Sequence, residues 1–410
     1  MKTVGLIAEY NPFHNGHKYH IEQAKAVTGA DTAVVVMSGD FVQRGEPAFI
    51  DKYTRAGMAA ACGADLVIEL PMLYASASAE RFAFGAVGIL HLLGVDAICF
   101  GSECADADML CKAADILTNE PEEFKAYLKK YLAEGDSFPK ARQKALEQYA
   151  DFGDGVIEEI MSKPNNLLGI EYIKALRKYS SKMQIHTIKR MGQGYNEQGE
   201  CADGFASAAS IRQMLLKGDK ALEALAMRQI PKEAAQIFMD AVTKYGMVTA
   251  DDFSEILNYK IYCLMREDST QLLNFSDVSE PLANKITGIY GREHFFGEWS
   301  ELVMRLKSKE LTYSRISRAL LHILLDIKID AWSSAAPYAR ILGMAPNGQE
   351  FLSSIRKTCP IPLITKAADD SEILRNDIFA ADVYNQVVYR KSNAVIADDY
   401  RHPLMILGKF

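Results

Sequence analysis

The sequence predicts an α/β fold: a Rossmann-like parallel-sheet domain with a helical insertion, followed by a mostly helical C-terminal domain. Three observations predict it. Short β-rich runs alternate with amphipathic stretches through the first half of the chain, residues of about 105–160 break that alternation with helical spacing alone, and beyond Arg212 the strand signal fades. The β-rich runs are Thr3–Ala8, Thr32–Met37, Asp65–Leu70, Asp96–Phe100 and Met183–Ile188. Each is close to continuously apolar, the pattern of strands buried on both faces. Between them, His14–Val27, Lys52–Cys62, Ala79–Leu93 and Leu167–Tyr179 carry helical spacing. Such alternation implies right-handed βαβ units in an open parallel sheet. Ligands of these sheets lie at the carboxyl ends of the strands, so residues just after each strand carry the functional weight.

The insertion, rich in Ala, Glu and Lys, reads as a small helical cap on the sheet. Residues 213–345 are helical in pattern, while 360–362 and 383–396 look mixed. The expected division is therefore 1–215 and 216–410. Its 410 residues, 49% hydrophobic and 24% charged with a net charge of −7, exclude disorder and non-specific polyanion binding through bulk charge. The charge is uneven. Residues 1–215 hold 22 basic against 28 acidic side chains, a net −6, and residues 216–410 hold 24 against 25, a net −1. Within the second half, Met304 to Arg318 carries Arg305, Lys307, Lys309, Arg315 and Arg318 against Glu310 alone. A run of that kind is either a solvated helix face or a local anion-binding patch. The seven cysteines are scattered without a Cys-x-x-Cys pair, so reduced thiols are expected. Neither a leader pattern nor a long apolar span is visible, and the expected location is the cytoplasm, with no membrane.

The strongest motif follows the first strand. Ala8-Glu9-Tyr10-Asn11-Pro12-Phe13-His14-Asn15-Gly16-His17 passes from a strand through an Asn11-Pro12 turn into a helix opened by His-x-Gly-His. Two imidazoles three residues apart on a first helical turn share one face, beside unpaired backbone N–H groups and the positive end of the helix dipole. That arrangement suits an anion, above all a phosphate. Gly16 removes a side chain where a phosphate needs close approach to the backbone. No third His/Cys/Asp cluster sits at ligand spacing nearby, so no metal site is expected. A second element, Phe205-Ala206-Ser207-Ala208-Ala209-Ser210-Ile211-Arg212, reads as a Ser-rich turn leading into a helix. Its hydroxyls and N–H groups suit further phosphate oxygens, or simply cap the helix.

These two elements, in this order, resemble the signatures of the nucleotidyltransferase superfamily. A narrower resemblance, to the bacterial tRNA(Met) cytidine acetate ligases, rests on more residues. They are Asn11-Pro12-Phe13-His14-Asn15-Gly16-His17, Ser38 to Pro47 (SGDFVQRGEP), Asp51 to Arg55 (DKYTR), Gly63 to Pro71 (GADLVIELP), Phe100 to Glu103 (FGSE), Lys163 to Tyr172 (KPNNLLGIEY) and Ile188-Lys189-Arg190. Over residues 216–410 the resemblance is looser and includes Pro337 to Gly343 (PYARILG).

The resemblance implies a two-step reaction: acetate attacks the α-phosphate of ATP, and acetyl then passes to the exocyclic amine of the wobble cytidine of elongator tRNA(Met). It implies catalytic roles for His14, His17 and Arg212, with the histidines stabilising charge at the α-phosphate as pyrophosphate departs. It places the ATP site at Ile7, Ala8, Glu9, Tyr10, Asn11, Pro12, Phe13, Asn15, Gly16 and His20, with Gly101, Asn165, Asn166, Lys189, Arg190, Ser207 and Ser210. Mg2+ is expected with ATP. On the substrate side it points to Ser38, Gln43 and Arg44, and, for tRNA, to Arg315 and Arg318 with Tyr313 between basic residues. Asp40 departs from the family's more usual Asn and suits a structural or amine-facing role. Two other readings stand beside this one: an adenylyltransferase acting on a phosphorylated small metabolite, and a non-catalytic RNA-binding protein.

Overall fold

The protein is described by a computed structural model covering residues 1–153, 155–190, 205–332 and 336–406. Five strands form at the five β-rich runs: β1 (Thr3–Ala8), β2 (Thr32–Ser38), β5 (Leu66–Leu70), β6 (Ala97–Ser102) and β7 (Gln184–Lys189). They pair in parallel in the order β5-β2-β1-β6-β7. Every residue of β2 and β5 is buried, as central strands covered on both faces demand. β7 closes one edge and is correspondingly more exposed. Between β2 and β5 lies a short antiparallel hairpin, β3 (Phe41–Val42) and β4 (Glu46–Pro47).

Two apolar layers cover the sheet. Helices Ala79–Leu92 and Pro164–Lys178 pack on one face with Phe82, Leu90, Ile170 and Ile173, joined by Leu110, Phe124, Leu146 and Ile157 from the insertion. That insertion is four helices, Ala107–Asn119, Glu122–Ala133, Phe138–Tyr149 and Val156–Ser162. Helices Asn15–Thr28 and Lys52–Ala61 cover the opposite face through Ile21, Ala24, Ala56 and Met58.

The chain beyond residue 215 does not stay apart from this sheet. Helices Lys220–Arg228 and Lys232–Tyr245 add Ala226, Ala234 and Phe238 to the second layer. β8 (Ala339–Met344) pairs antiparallel with β5, and β9 (Leu363–Ile364) and β10 (Met405–Ile406) each pair with β8. A second, largely helical core runs from Val248 through Trp299 and Leu320 to Tyr384 and Val388, joined by Phe41 and Met72 from the first half. The apolar clusters thus mix residues from both halves of the chain, and the helical pattern over 213–345 ends in a strand. Helical periodicity shows that a face is apolar without showing what it will cover, and six residues of β8 leave a weak signal inside a long helical stretch. Residues 383–396, mixed in pattern, lie mostly in helix Arg375–Ser392.

The return strand is tied down by buried charge. Lys52 Nζ lies 2.9 Å from both Glu69 Oε1 and Asp399 Oδ2, and Arg340 Nη1 lies 2.7 Å from Asp399 Oδ2 and 3.1 Å from Glu69 Oε2. The Tyr53 hydroxyl accepts from Arg340 Nη2 and donates to Asp399 Oδ1, 2.8 Å each. Asp40 belongs to this structural group, since its Oδ1 accepts from the Lys52 backbone N–H at 2.8 Å. Six cysteines are free thiols, and Cys201 lies outside the described residues. Among the described residues no helix is long and apolar enough to cross a membrane.

Candidate active site

One pocket opens at the carboxyl ends of β1, β6 and β7, where an open parallel sheet reverses its strand order. The His-x-Gly-His turn forms its floor. His14 is the N-cap of helix Asn15–Thr28, and its Nδ1 accepts from Gly16 N–H at 3.0 Å. His17 answers as a capping box, its Nδ1 accepting from His14 N–H at 3.3 Å. The rings stack with centroids 3.7 Å apart.

This geometry sets the tautomer. A backbone N–H only donates, so each Nδ1 must be the unprotonated nitrogen and each neutral ring carries its proton on Nε2. Burial, with Arg190 nearby, lowers His14 to about 3. Burial, then His14, Arg190 and His20, hold His17 well below its ordinary value. The helix start therefore presents two neutral N–H donors, fixed by the backbone, to an anion over the pocket. Gly16 serves this directly, because a Cβ there would stand 2.8 Å from His14 Cε1 and displace the ring.

The β6 and β7 side supplies a linked polar wall. Arg190 Nη1 donates to Asn165 Oδ1 at 2.9 Å, and Asn165 Nδ2 donates to Glu103 Oε1 at 2.6 Å. Asn166, buried behind, receives the Glu103 and Cys104 N–H groups on its Oδ1 and gives its own N–H to Glu103 Oε2. Asn165 thus faces the pocket while Asn166 pins the loop after β6, and neither caps its helix. Gly101 leaves room for the Arg190 stem, whose Cγ would lie 3.0 Å from a Cβ. Ser207 caps helix Ala208–Leu216 by accepting from Ser210 N–H at 3.1 Å.

Most of the residues the sequence singles out meet here. Ile7, Ala8, Glu9, Tyr10, Asn11, His14, Gly16, His17, His20, Gln43, Gly101, Asn165, Lys189, Arg190, Ser207 and Ser210 line the pocket. Others do not. Phe13 is core, edge-on to Tyr10, and Pro12 completes the turn beside it. Asn15 points away, donating through Nδ2 to Arg228 O. Ser38 is fully buried behind the sheet end, its carbonyl held by Arg55. Arg212 stands behind the wall with Nη1 on Asn11 O at 2.6 Å, and Arg44 is exposed at the margin. Arg318 is paired with Asp277 at 2.9 Å. Tyr313 is half-buried with its hydroxyl toward Glu46, while Arg315 is exposed.

Phe82, Phe100, Leu168 and Tyr172 make an apolar wall that apolar periodicity could not distinguish from core. Arg55, fully buried, donates to the carbonyls of Glu9 (2.7 Å), Ser38 (2.9 Å), Gly39 and Ile50, joining the carboxyl ends of β1 and β2. Its signal in the sequence is the Asp51-to-Arg55 motif.

A parallel α/β sheet with a phosphate-suited helix start at its switch point defines a nucleotidyltransferase-type protein. A family profile described as HIGH Nucleotidyl Transferase matches residues 1–398. The tRNA(Met) cytidine acetate ligase of Thermoanaerobacter sp. (strain X514) is 42% identical over 417 residues, 99% of this chain and 100% of that protein. The Acetivibrio thermocellus protein of the same name is 41% identical, over 96% and 97%. The crystal structure of apo Thermotoga maritima TmcAL superposes with a TM-score of 0.88 at 30% identity, over 99% of this chain and 100% of that one. The same protein bound with alpha-thio ATP gives 0.85 at 29% identity. The chain belongs to the tRNA(Met) cytidine acetate ligase family of enzymes, within the HIGH nucleotidyltransferases.

Proposed function

We propose that this protein joins acetate to the wobble cytidine of elongator tRNA(Met) at the expense of ATP, through an acetyl-adenylate. The observation that carries the reading is the stacked histidine pair with both Nδ1 atoms taken by backbone N–H groups. Its Nε2–H donors need no reorganisation as negative charge builds on the α-phosphate. Acetate is already ionised at neutral pH, so the first step asks for position and charge stabilisation rather than a base. His14 and His17 hold the α-phosphate. Ser207, Ser210 and the helix start behind them take the departing pyrophosphate. Asn165, Arg190 and Lys189 hold the nucleoside side, with Gly101 beneath.

Mg2+ enters as part of the substrate, bound to the phosphates of ATP. Among the described residues no group of three or more His, Cys, Asp or Glu side chains forms a cage for it. Arg212 positions the Asn11 turn from behind. A wobble base in an anticodon loop is unpaired, so presenting its amine costs little.

The test is mass analysis of tRNA nucleosides after incubation of the protein with ATP and isotopically labelled acetate. Labelled acetylcytidine at the wobble position of tRNA(Met) is expected. A stable adenylylated metabolite formed without tRNA, and no acetylcytidine, would overturn the reading.

A further inference from the structure

We propose that Glu9 accepts the proton which the cytidine amine gives up as it takes the acetyl group, making Glu9 a catalytic residue of the second step. The assignment rests on the ligase reading above and deepens it.

Sheet order divides the pocket. β1 lies at its centre, β6 and β7 on one side and β2 on the other. Of the groups suited to the nucleoside, Gly101 lies in β6, Asn165 is held by Glu103 just after β6 and Arg190 follows β7, whereas Gln43 and Arg44 come from the hairpin after β2. Glu9, the first residue after β1, faces the β2 side, its Oε1 accepting the Gln43 backbone N–H at 3.0 Å. Oε2 has no hydrogen-bond partner among the described residues. Glu9 is also the one acidic side chain among the described residues lining the pocket.

A carboxylate oxygen without a donor is poorly placed beside a triphosphate, since like charges repel. It needs an N–H or O–H ligand, and carboxylates read cytosine through its exocyclic amine. The other candidate bases are committed elsewhere. Asp40 holds the start of helix Lys52–Ala61, Glu103 orients Asn165 and Asn166, and Glu46 faces Tyr313. His14 and His17 already use Nδ1 as an acceptor and carry the proton on Nε2. His20 lies toward Cys99 of β6.

Electrostatics support the same role. Burial pushes the Glu9 carboxyl above its ordinary range, while the Gln43 N–H, Arg212, Arg44 and Arg55 draw it back. Tyr172 faces it from the opposite helix as a neutral phenol. Glu9 is thus more basic than a surface carboxylate.

In the step itself, the amine nitrogen attacks the acetyl carbonyl carbon. The bond from that carbon to the bridging phosphate oxygen breaks, and its electron pair leaves with AMP. One amine proton passes to Glu9 and later to solvent.

Two assays on the full-length protein test this: acetate-dependent exchange of pyrophosphate with ATP for the first step, and acetyl transfer to tRNA for the second. For Glu9→Gln the loss in transfer should be about 100-fold, within the range for a displaced acid–base group, and exceed any loss in exchange at least tenfold. The wild-type transfer rate should fall on the acid side, a limb that Glu9→Gln lacks, and Glu9→Asp should recover part of the rate and the limb. Equal losses in both assays, or transfer that survives Glu9→Gln, would overturn the assignment while leaving the ligase reading intact. A wild-type protein that forms no acetylcytidine would overturn both.

Discussion

His14 and His17 show how much one hydrogen bond decides at the scale of a residue. The spacing places two imidazoles on one helical face, but their protonation follows from which nitrogen the backbone occupies. Burial keeps both neutral, His14 down at about 3, against about 6.5 in an unfolded chain. The unfolded state therefore binds more protons than the native state between those values. Stability from these groups is complete above pH 6.5 and is lost as pH falls toward 3. A His14→Asn, His17→Asn variant removes this dependence. Its unfolding free energy relative to wild type should improve as pH is lowered from 7 to 5, by about 1 kcal/mol or more, measured by denaturant unfolding at each pH.

At the scale of elements, the buried network between helix Lys52–Ala61, β5, β8 and the segment at Asp399 holds the return strand on the sheet. Lys52 is 1% exposed and touches two carboxylates at 2.9 Å. Methionine at that position keeps the stem's packing but leaves Arg340 as the one cation paired with Glu69 and Asp399 among the described residues. Removing one partner of a buried pair costs about 3–5 kcal/mol, so Lys52→Met should lower the unfolding midpoint accordingly. The β3–β4 hairpin is the second such joint. Gly45 has φ +77°, and a Cβ there would stand 2.3 Å from Arg318 N, while its carbonyl accepts from the Ser317 hydroxyl at 2.9 Å. Gly45→Ala should push the hairpin off helix Tyr313–Leu324. The expected result is a destabilisation of about 1–3 kcal/mol and a raised KM for tRNA, because Gln43 and Arg44 ride on the same hairpin.

For the whole molecule, that joint sets Ser317 and Arg318, the end of the basic run at 304–318, against the hairpin that carries Gln43. Arg305 pairs with Glu293 and Arg318 with Asp277, so two of its five cations are committed. Lys307, Lys309 and Arg315 are exposed and have no ion pair among the described residues. Reversing these three to Glu should weaken tRNA binding. The dependence of log affinity on log salt should shrink by about 0.7–0.9 for each phosphate that is no longer neutralised, read by binding titrations at several ionic strengths. Unchanged affinity would return the run to a solvated surface.

The sequence by itself determined the five parallel strands, the helices between them and the histidine turn. Continuous apolarity, helical spacing and an Asn-Pro-to-Gly turn are local signals, readable wherever the chain later goes. Only the tertiary structure decided that β8 and Asp399 return to the sheet, that Arg55 joins the ends of β1 and β2, and that Arg318 is tied to Asp277. It also separated Asn165 from Asn166 and set Glu9 as the one acidic side chain lining the pocket among the described residues. Those outcomes depend on partners tens or hundreds of residues away, and a charged side chain reads the same in sequence whether it meets a neighbour, a substrate or water.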